Sequence, residues 1–407
     1  MQPPRTIFYT GKGGVGKTSV AAATALRAAA AGMRTIVVST DPAHSLSDSL
    51  GREVGPDPTR VAPMLCAQEV EARREMERNW GTVRRWMGSA LAEQGVSEIA
   101  AEELTVPPGV DELFSLLEVQ RHHRSGEYDL IIVDCAPTGE TLRLLSFPEV
   151  ARWWLEKVVP REGLLVGAAR PLARSLLDLE LPGSDVLAEV HGLVANLVSM
   201  NAILRDRSRT SVRLVMSPDR MVVAEAKRTF TYLNLYGYLT DAVIVNRILP
   251  PETGDGYFGA WRERQTEQLA EIRDGFLPIP ILTGRLLSEE LLGTAMLERF
   301  GEEIFAAHEA GALLHSEPRD EFSSSEDGHA VVRVRLPFAE RESLSLKRSG
   351  SELIVSAGRE RRTMILPPAL ADREVATAEL VRGVLEVRFA DVRSTNSDDE
   401  RSPAIRG

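Results

Sequence analysis

The chain of 407 residues has 48 basic and 59 acidic side chains, a formal net charge of −11, and 43% hydrophobic residues. This length and apolar content predict two or three domains with a sizeable core, and the acidic balance argues against nucleic acid or an anionic membrane as the main partner. The start of the chain lacks the apolar region of a signal peptide, and no run of about 18 apolar residues follows. We therefore expect a soluble, cytoplasmic protein without a transmembrane segment.

The chain has two cysteines, Cys66 and Cys135. They are too few for a disulfide framework or a four-cysteine zinc site. We expect both to be small buried apolar residues rather than metal ligands.

The first predicted functional element is a glycine-rich loop between an apolar strand at residues 6–10 and an Ala-rich helix. Backbone N–H groups of such a loop surround a phosphate, and the helix N-terminus points its positive dipole end at the same place. Lys17 is expected to neutralise the β- and γ-phosphates, and the Thr18 hydroxyl is the expected Mg²⁺ ligand. A plain strand-to-helix turn is the alternative. The predicted ATP-binding residues of this loop are Gly11, Lys12, Gly13, Gly14, Val15, Gly16, Lys17, Thr18 and Ser19.

Lys12 occupies a position that the general loop pattern leaves open, so it could be a solvated surface charge. The GKGGVGKT sequence, however, resembles the loop of a subgroup of deviant-loop ATPases whose members pair face to face across the nucleotide. That resemblance implies that Lys12 reaches the partner subunit's nucleotide and stabilises charge on the transferred phosphoryl group, in the way of an arginine finger. It also implies a nucleotide-dependent homodimer.

Asp41 follows the second predicted strand, residues 35–39. Ligands of doubly wound sheets bind at the carboxyl ends of parallel strands, so Asp41 is a candidate for orienting the attacking water. Alternatively, it caps the turn that an Asp-Pro pair commonly begins.

Residues 66–125 and 150–210 are predicted to be helical insertions that form a layer on one side of the sheet. In the first insertion, Met76, Trp80 and Val83 are spaced three or four residues apart, which predicts an amphipathic helix. We interpret this stripe as core in preference to a client-binding groove, and we expect His122 and His123 to be solvated. A groove and a packed helical subdomain both require an apolar face, so the sequence leaves both open.

Asp134 ends a buried predicted strand, residues 128–134, which is the usual position of the Mg²⁺-organising Asp in P-loop enzymes. A helix cap is the alternative. Residues 135–141, CAPTGET, are predicted to form a second switch loop.

A further candidate, for the base pocket, lies on the C-terminal edge of the sheet. Asn246 lies at the end of a predicted strand, where its amide could both donate to and accept from adenine, although Asn is also a common turn residue. Pro218 and Asp219 form the turn after the strand at residues 211–216. A final strand and helix, between residues 278 and 300, complete a predicted α/β P-loop domain at 1–312 with a mostly parallel, doubly wound sheet.

Three segments together resemble the family of arsenite-pump ATPases and tail-anchored-protein targeting ATPases: GKGGVGKT, STDPAHSLSDSLG at residues 39–51 and DCAPTGETLRLL at residues 134–145. The resemblance implies that Asp41 positions the hydrolytic water within a first switch that includes His44 and Ser45. It also implies that Thr18, Asp41 and Asp134 lie on the metal side. Pro218, Asp219 and Asn246 are placed at the base, and the helices are expected to line an apolar groove for a hydrophobic client.

The chain departs from this family at several points. It has Cys135 and Glu140 where members usually have Thr and His, which puts a side-chain role of Glu140 in doubt. The zinc-binding CxxC pair of the eukaryotic targeting dimer is absent, and two cysteines do not make an arsenite triad. Because the chain has one phosphate loop, a two-site enzyme requires two chains.

Polar residues dominate 313–329, which predicts a disordered linker. Apolar residues then alternate through 330–391, which predicts a small antiparallel β-sandwich. This region resembles the α-crystallin domain of small heat-shock proteins through Ser351-Glu352-Leu353-Ile354-Val355 and through Ala378 followed by Gly383-Val384-Leu385. The tail at 392–407 is predicted to be disordered and lacks the Ile-x-Ile/Val element of those proteins, so the sandwich is expected to be an appended interaction module.

Three functions follow from these features. The favoured one is a Mg-ATP-hydrolysing homodimeric switch that handles a hydrophobic protein segment or another protein partner. The second is the motor of an anion or metalloid efflux pump, which the missing thiols disfavour. The third is a chaperone or scaffold with a structural nucleotide, which the presence of Lys17, Asp41 and Asp134 disfavours.

Overall fold

The computed structural model describes residues 3–41, 45–93, 111–135, 184–253, 256–317, 322–324, 330–371, 373–390 and 405–406. Most of the second predicted helical insertion, residues 150–183, lies outside these ranges. None of the helices in the described ranges is long and apolar enough to cross a membrane.

Eight strands form the central sheet: β1 (Arg5–Thr10), β2 (Thr35–Ser39), β3 (Thr59–Ala62), β4 (Leu65–Glu69), β5 (Leu130–Asp134), β6 (Thr210–Met216), β7 (Thr240–Ile248) and β8 (Ile281–Arg285). Their order is β3-β4-β2-β5-β1-β6-β7-β8. The β3–β4 pair is antiparallel and every other neighbouring pair is parallel. The predicted mostly parallel sheet is therefore confirmed, and β1 lies at its centre, where the strand order reverses.

Helices cover both faces of this sheet. They are α1 (Lys17–Ala30), α2 (Ser45–Leu50), α3 (Ala72–Glu93), α4 (Asp111–Ser125), α5 (Ser184–Arg205), α6 (Arg220–Tyr236), α7 (Gly259–Phe276) and α8 (Thr294–Ile304). Ile7 and Tyr9 pack with α1 and α8 on one face, and Phe8 packs with α4, α5 and α6 on the other. Because side chains alternate along a strand, the apolar centre of the fully buried β1 serves both layers.

The helical interpretation of residues 66–125 is wrong at its start. Residues Leu65–Glu69 form β4, in which Cys66 pairs with Ile36 of β2, and helix α3 begins only at Ala72. The segment is short, and its Cys and Gln residues give no clear alternation, so nothing local identifies it as a strand. Long-range pairing with β2 decides its structure.

The apolar stripe of α3 is core. Met76 and Val83 are buried, and the cluster that contains Met76 includes Phe114, Leu117 and Leu193, with Trp80 packed against it. The expectation of a solvated His122 is wrong: its ring is buried, and Nε2 lies 2.5 Å from Gln68 Oε1.

The second domain is built from β9 (Phe322–Ser324), β10 (Ala330–Arg335), β11 (Leu344–Ser349), β12 (Glu352–Ala357), β13 (Glu360–Ile365), α9 (Pro368–Ala371), β14 (Val375–Val381), β15 (Val384–Phe389) and β16 (Ile405–Arg406). It has a five-stranded sheet, β16-β14-β15-β10-β9, and a three-stranded sheet, β11-β12-β13. The predicted inward residues Val332, Leu353 and Leu385 are all buried in its core. The antiparallel sandwich is thus confirmed, apart from the parallel pair β14–β16.

The segments predicted to be disordered are partly ordered. Strand β9, inside the predicted linker, pairs with β10, and the backbone N–H of Leu314 donates to Asp241 Oδ2 at 3.2 Å. Glu317 forms an ion pair with Arg335. In the predicted tail, Ile405 and Arg406 pair with β14. Sheet edges offer unpaired backbone groups to polar segments, which composition does not reveal.

Buried charge fixes the segment that joins the two domains. Arg213 on β6 is fully buried, and it donates to Asp241 and to the carbonyls of Ala310 and Ala312. Arg5 donates to the same carboxylate at 3.0 Å, and burial lowers the pKa of its guanidinium to about 10. The chain after α8 is therefore held against the amino ends of β6 and β7.

Candidate functional site

The glycine-rich loop connects the carboxyl end of β1 to α1, as the sequence predicts. Gly11, Gly14 and Gly16 have φ angles of 153°, 80° and 91°, which L side chains rarely adopt. A Cβ on Gly11 would lie 2.1 Å from the Val215 carbonyl oxygen of β6, and a Cβ on Gly16 would lie 2.5 Å from Asn246 Nδ2. The loop therefore packs backbone against backbone and leaves no room for side chains on that side.

The N-terminus of α1 suits an anion. No side chain caps it with a hydrogen bond, and its first turn has no acidic residue. The first N–H groups of a helix lack partners inside the helix, and their dipoles favour negative charge. Lys17, the first residue of α1, is buried. A cation and a set of backbone donors thus meet where the sequence places the phosphates.

Asp134 is the strongest sign of a cation site. It is fully buried at the end of β5, in register with Tyr9 of β1, and neither carboxylate oxygen accepts a hydrogen bond from the described residues. Burial raises the pKa of Asp134 to about 7, against the opposing effects of the Thr18 hydroxyl and the Lys17 ammonium and with a smaller upward contribution from the charge of Asp41. A buried carboxylate with two vacant oxygens is costly unless a cation binds it, so the residues fit Mg²⁺.

The other predicted metal-side residues lie at the same edge. Thr18 Oγ1 is 3.0 Å from Ser45 Oγ at the start of α2. Asp41 follows β2, which neighbours β5, and its backbone N–H donates to Ser39 Oγ at 3.3 Å. The structure thus brings Thr18, Asp41 and Asp134 to one end of three adjacent strands. His44, Glu140 and the second switch beyond Cys135 lie outside the described residues, and Cys135 is buried.

Asn246 braces the phosphate loop, a role that the sequence did not indicate. Its Nδ2 donates to the Val15 carbonyl at 2.9 Å, and its Oδ1 accepts the Arg247 N–H at 2.8 Å. Both ends of the buried amide therefore have protein partners, and its predicted contact with adenine stays a prediction. Because a Cβ on Gly16 would lie 2.5 Å from Asn246 Nδ2, position 16 must be glycine for the Asn246 side chain to reach the loop.

Pro218 and Asp219 lie between β6 and α6, at the same sheet edge. Pro218 is buried and Asp219 is exposed, and the Ser217 hydroxyl donates to Asp219 Oδ2 at 2.5 Å. Lys12 Nζ lies 3.5 Å from Glu225 Oε2 on α6. Sequence reasoning missed Glu225, because nothing in its spacing separates it from other surface acids of an amphipathic helix.

We expect Asn246→Ala to lower the free energy of unfolding by about 1 to 3 kcal/mol, because it leaves the buried Val15 carbonyl without its donor. ATP affinity should fall about 10-fold as the loop loses order. Thermal melting and calorimetric titration measure the two effects. Asn234→Ala is the control, because Asn234 donates to a helix carbonyl at 2.8 Å, that of Phe230, which already has a backbone partner in α6. Equal losses in the two variants would contradict the bracing role.

This sheet order, the loop after β1 and the buried acid after β5 define a P-loop nucleoside triphosphatase, and Lys12 places it in the deviant-loop group. Comparison with known proteins gives the family. Residues 4–306 match the anion-transporting ATPase family, and residues 327–389 match an HSP20-like domain found in ArsA proteins. The chain therefore belongs to the ArsA ATPase family, as the sequence motifs indicated.

Relatives of two kinds support this assignment. A putative arsenical pump-driving ATPase of Chlorobaculum tepidum is 38% identical over 95% of this chain and 96% of its own length. A putative arsenical pump-driving ATPase of Aquifex aeolicus is 34% identical over 92% of this chain and 97% of its own. The ATPase get3 of Sclerotinia sclerotiorum is 31% identical over 75% of this chain and 90% of its own. The family supports ATPase activity for this chain.

Proposed function

We propose that this chain is a Mg-ATP-hydrolysing, nucleotide-switched homodimer that binds a hydrophobic protein segment or another protein partner. The observation that carries the proposal is the buried carboxylate of Asp134 beside the phosphate loop, whose two oxygens have no hydrogen-bond partner among the described residues. Such a group is unfavourable in an empty protein and becomes favourable when a divalent cation binds it.

The residues divide the work as follows. The loop N–H groups and Lys17 would bind the phosphates, and Thr18 and Asp134 would hold Mg²⁺. Bound Mg²⁺ supplies positive charge that offsets the charge of the phosphates. Asp41, at the same sheet edge, orients the attacking water. Pro218, Asp219 and Asn246 form the base side of the site.

Dimerisation follows from Lys12. Its side chain is 38% exposed and pairs with Glu225 of its own subunit at the surface, so it is accessible to a facing subunit. A second copy would place this lysine at the opposite nucleotide, as the deviant loop implies. The proposed client is a hydrophobic segment, as the resemblance to tail-anchored-protein targeting ATPases implies, and the cytoplasmic location expected from the sequence stays a prediction.

A second candidate function is the motor of an anion efflux pump. The names of the Chlorobaculum and Aquifex relatives favour it, and those relatives match nearly the whole chain. The chain has only Cys66 and Cys135, so a thiol site for arsenite would need other residues or a second subunit. Stimulation of ATP hydrolysis by arsenite would favour this candidate.

We expect Asp41→Asn to reduce ATP turnover by about 100-fold or more, because the amide cannot accept a proton from the attacking water. Binding of Mg-ATP should persist. Turnover is measured for both proteins with and without an apolar helical peptide, which should bind and change the rate of the wild type. Asp48→Asn, an exposed acid of α2, is the control. Unchanged turnover in Asp41→Asn would show that the switch assignment is wrong, and a peptide without effect would remove the support for a hydrophobic client.

A further inference from the structure

Helix α6 connects the nucleotide edge to the β-sandwich. It begins after Asp219, beside the strand whose Val215 carbonyl contacts Gly11. Its last turn is part of the second domain, since Leu235 belongs to the sandwich core. Arg362 of β13 donates to the Leu235 carbonyl at 2.9 Å, and Tyr236 donates to Glu360 at 2.6 Å. One rigid helix therefore touches both domains.

Phe338, after β10, fixes α6 from the side. Its ring lies 5.3 Å from that of Phe276 on α7 and 6.2 Å from that of Phe230 on α6. Lys227 Nζ lies 5.1 Å above the same ring, and Thr231 donates to the Pro337 carbonyl. These contacts span the residues of α6 just after Glu225. The sandwich thus restrains the part of α6 that carries Glu225.

The Lys12–Glu225 ion pair has the character of a contact that can be broken. The Lys12 and Glu225 side chains are 38% and 27% exposed, and Lys12 Nζ lies 3.5 Å from Glu225 Oε2. Partly exposed ion pairs contribute little to folding stability. A lysine in this contact cannot at the same time reach a phosphate of a facing subunit. The pair therefore sets where the Lys12 ammonium rests and hardly affects the stability of the fold.

We propose that Glu225 is a positioning residue that holds Lys12 on its own subunit until a facing subunit's nucleotide binds it, and that the sandwich sets the position of Glu225 through α6. This inference rests on the proposed homodimer. It gives the second domain a role at the nucleotide site, beyond that of an appended module.

The test is Glu225→Gln in the full chain, with dimer formation followed by light scattering in Mg-ATP across a dilution series. The midpoint concentration for dimerisation should fall about 2- to 5-fold, because Lys12 no longer has to leave an anionic partner. The value of kcat at saturating protein should stay unchanged, and Glu225→Asp should restore most of the wild-type midpoint. Glu302→Gln is the matched control, since it removes the same charge from a partly exposed pair, with Arg27 at 3.6 Å, away from α6.

Phe338→Ala tests the part played by the sandwich. The midpoint concentration for dimerisation should fall in this variant, as in Glu225→Gln. The double variant, Glu225→Gln with Phe338→Ala, should show no further shift, because both changes act through the Lys12–Glu225 contact. A fully additive shift would show that the sandwich does not act through Glu225. A Glu225→Gln midpoint equal to that of the wild type or of Glu302→Gln would overturn the proposal. A wild type that binds Mg-ATP and never dimerises would instead contradict the proposed function itself.

Discussion

We expect Asp134→Asn to stabilise the nucleotide-free protein and at the same time to reduce Mg-dependent ATP turnover by about 100-fold or more. The substitution removes a fully buried charge whose two oxygens have no hydrogen-bond partner among the described residues. It also removes the carboxylate that organises Mg²⁺. Differential scanning fluorimetry with and without Mg-ATP measures the first effect, and phosphate release measures the second.

The gain in stability should depend on pH. The pKa of Asp134 is about 7 in the folded protein, compared with 3.8 for an exposed Asp in the unfolded chain. Between these values the folded state binds more protons than the unfolded state, so the contribution of Asp134 to stability falls as the pH rises through this window and levels off above 7. The advantage of the variant in unfolding free energy should therefore grow by about 2 to 3 kcal/mol from pH 5 to pH 8.

Asp129→Asn is the control for this pH dependence, because Asp129 lies just before the same strand. Its side chain is exposed, and a hydrogen bond from Arg34 lowers its pKa. The ionised Asp129 side chain makes a small stabilising contribution to the fold, which is present above the pKa of Asp129 in the unfolded state and is lost as the pH falls. The Asp129→Asn variant should therefore gain no stability at pH 8. A nucleotide-free Asp134→Asn protein that is less stable than the wild type at pH 8 would contradict the account of Asp134.

We expect Gly11→Ala to abolish ATP binding and to lower the free energy of unfolding by about 3 kcal/mol or more. The added Cβ would lie 2.1 Å from the Val215 carbonyl oxygen, and φ at this residue is 153°. Strand β6 cannot move away, because β1 and β7 pair with it on both sides. Denaturant unfolding and nucleotide titration measure the two losses.

Gly13→Ala is the matched control in the same loop. A Cβ there would meet no atom within 4 Å in the part of the chain that the structure describes, and its φ is not positive. Its unfolding free energy without nucleotide should remain within about 0.5 kcal/mol of that of the wild type. Similar losses of stability in the two variants would show that the packing of the loop on β6 is not what requires glycine at position 11.

The sequence predicted the parts of the fold that local pattern controls. Each of the buried strands β1, β2 and β5 contains a continuous apolar run, and the loop after β1 matches a motif whose context is itself local. Strand β4 and helix α7 were not predicted: β4 depends on pairing with β2, and only Ile272 and Phe276 of α7 are buried. In both elements the decisive contacts are distant along the chain.

The same division applies to the site. The sequence was sufficient to place Thr18, Asp41 and Asp134 at one edge of the sheet, since each of them comes after or at the end of a predicted strand. Parallel strands bring their carboxyl ends together at that edge. The sequence could not show that the amide of Asn246 binds the loop carbonyl of Val15, or that Lys12 pairs with Glu225. These contacts join residues more than 200 positions apart, and polar side chains on a helix or strand end carry no sign of their partner.

The position of the second domain also depends on tertiary contacts. The alternating residues from Ala330 predicted the sandwich itself, and the polar segment before it predicted a flexible connection. The structure instead ties that segment to Asp241 and Arg335, and packs Phe338 onto α6 and α7. A sandwich held in this way can respond to the nucleotide edge, which a freely tethered module could not do.

The central claim is that Mg-ATP brings two copies of this chain together. The most direct measurement is the mass in solution, by light scattering, of the Asp41→Asn variant, which should retain bound nucleotide without cleaving it. We predict twice the chain mass with Mg-ATP and a smaller average mass with Mg-ADP. A single-chain mass in both nucleotides, with binding of Mg-ATP verified in the same sample, would contradict the claim.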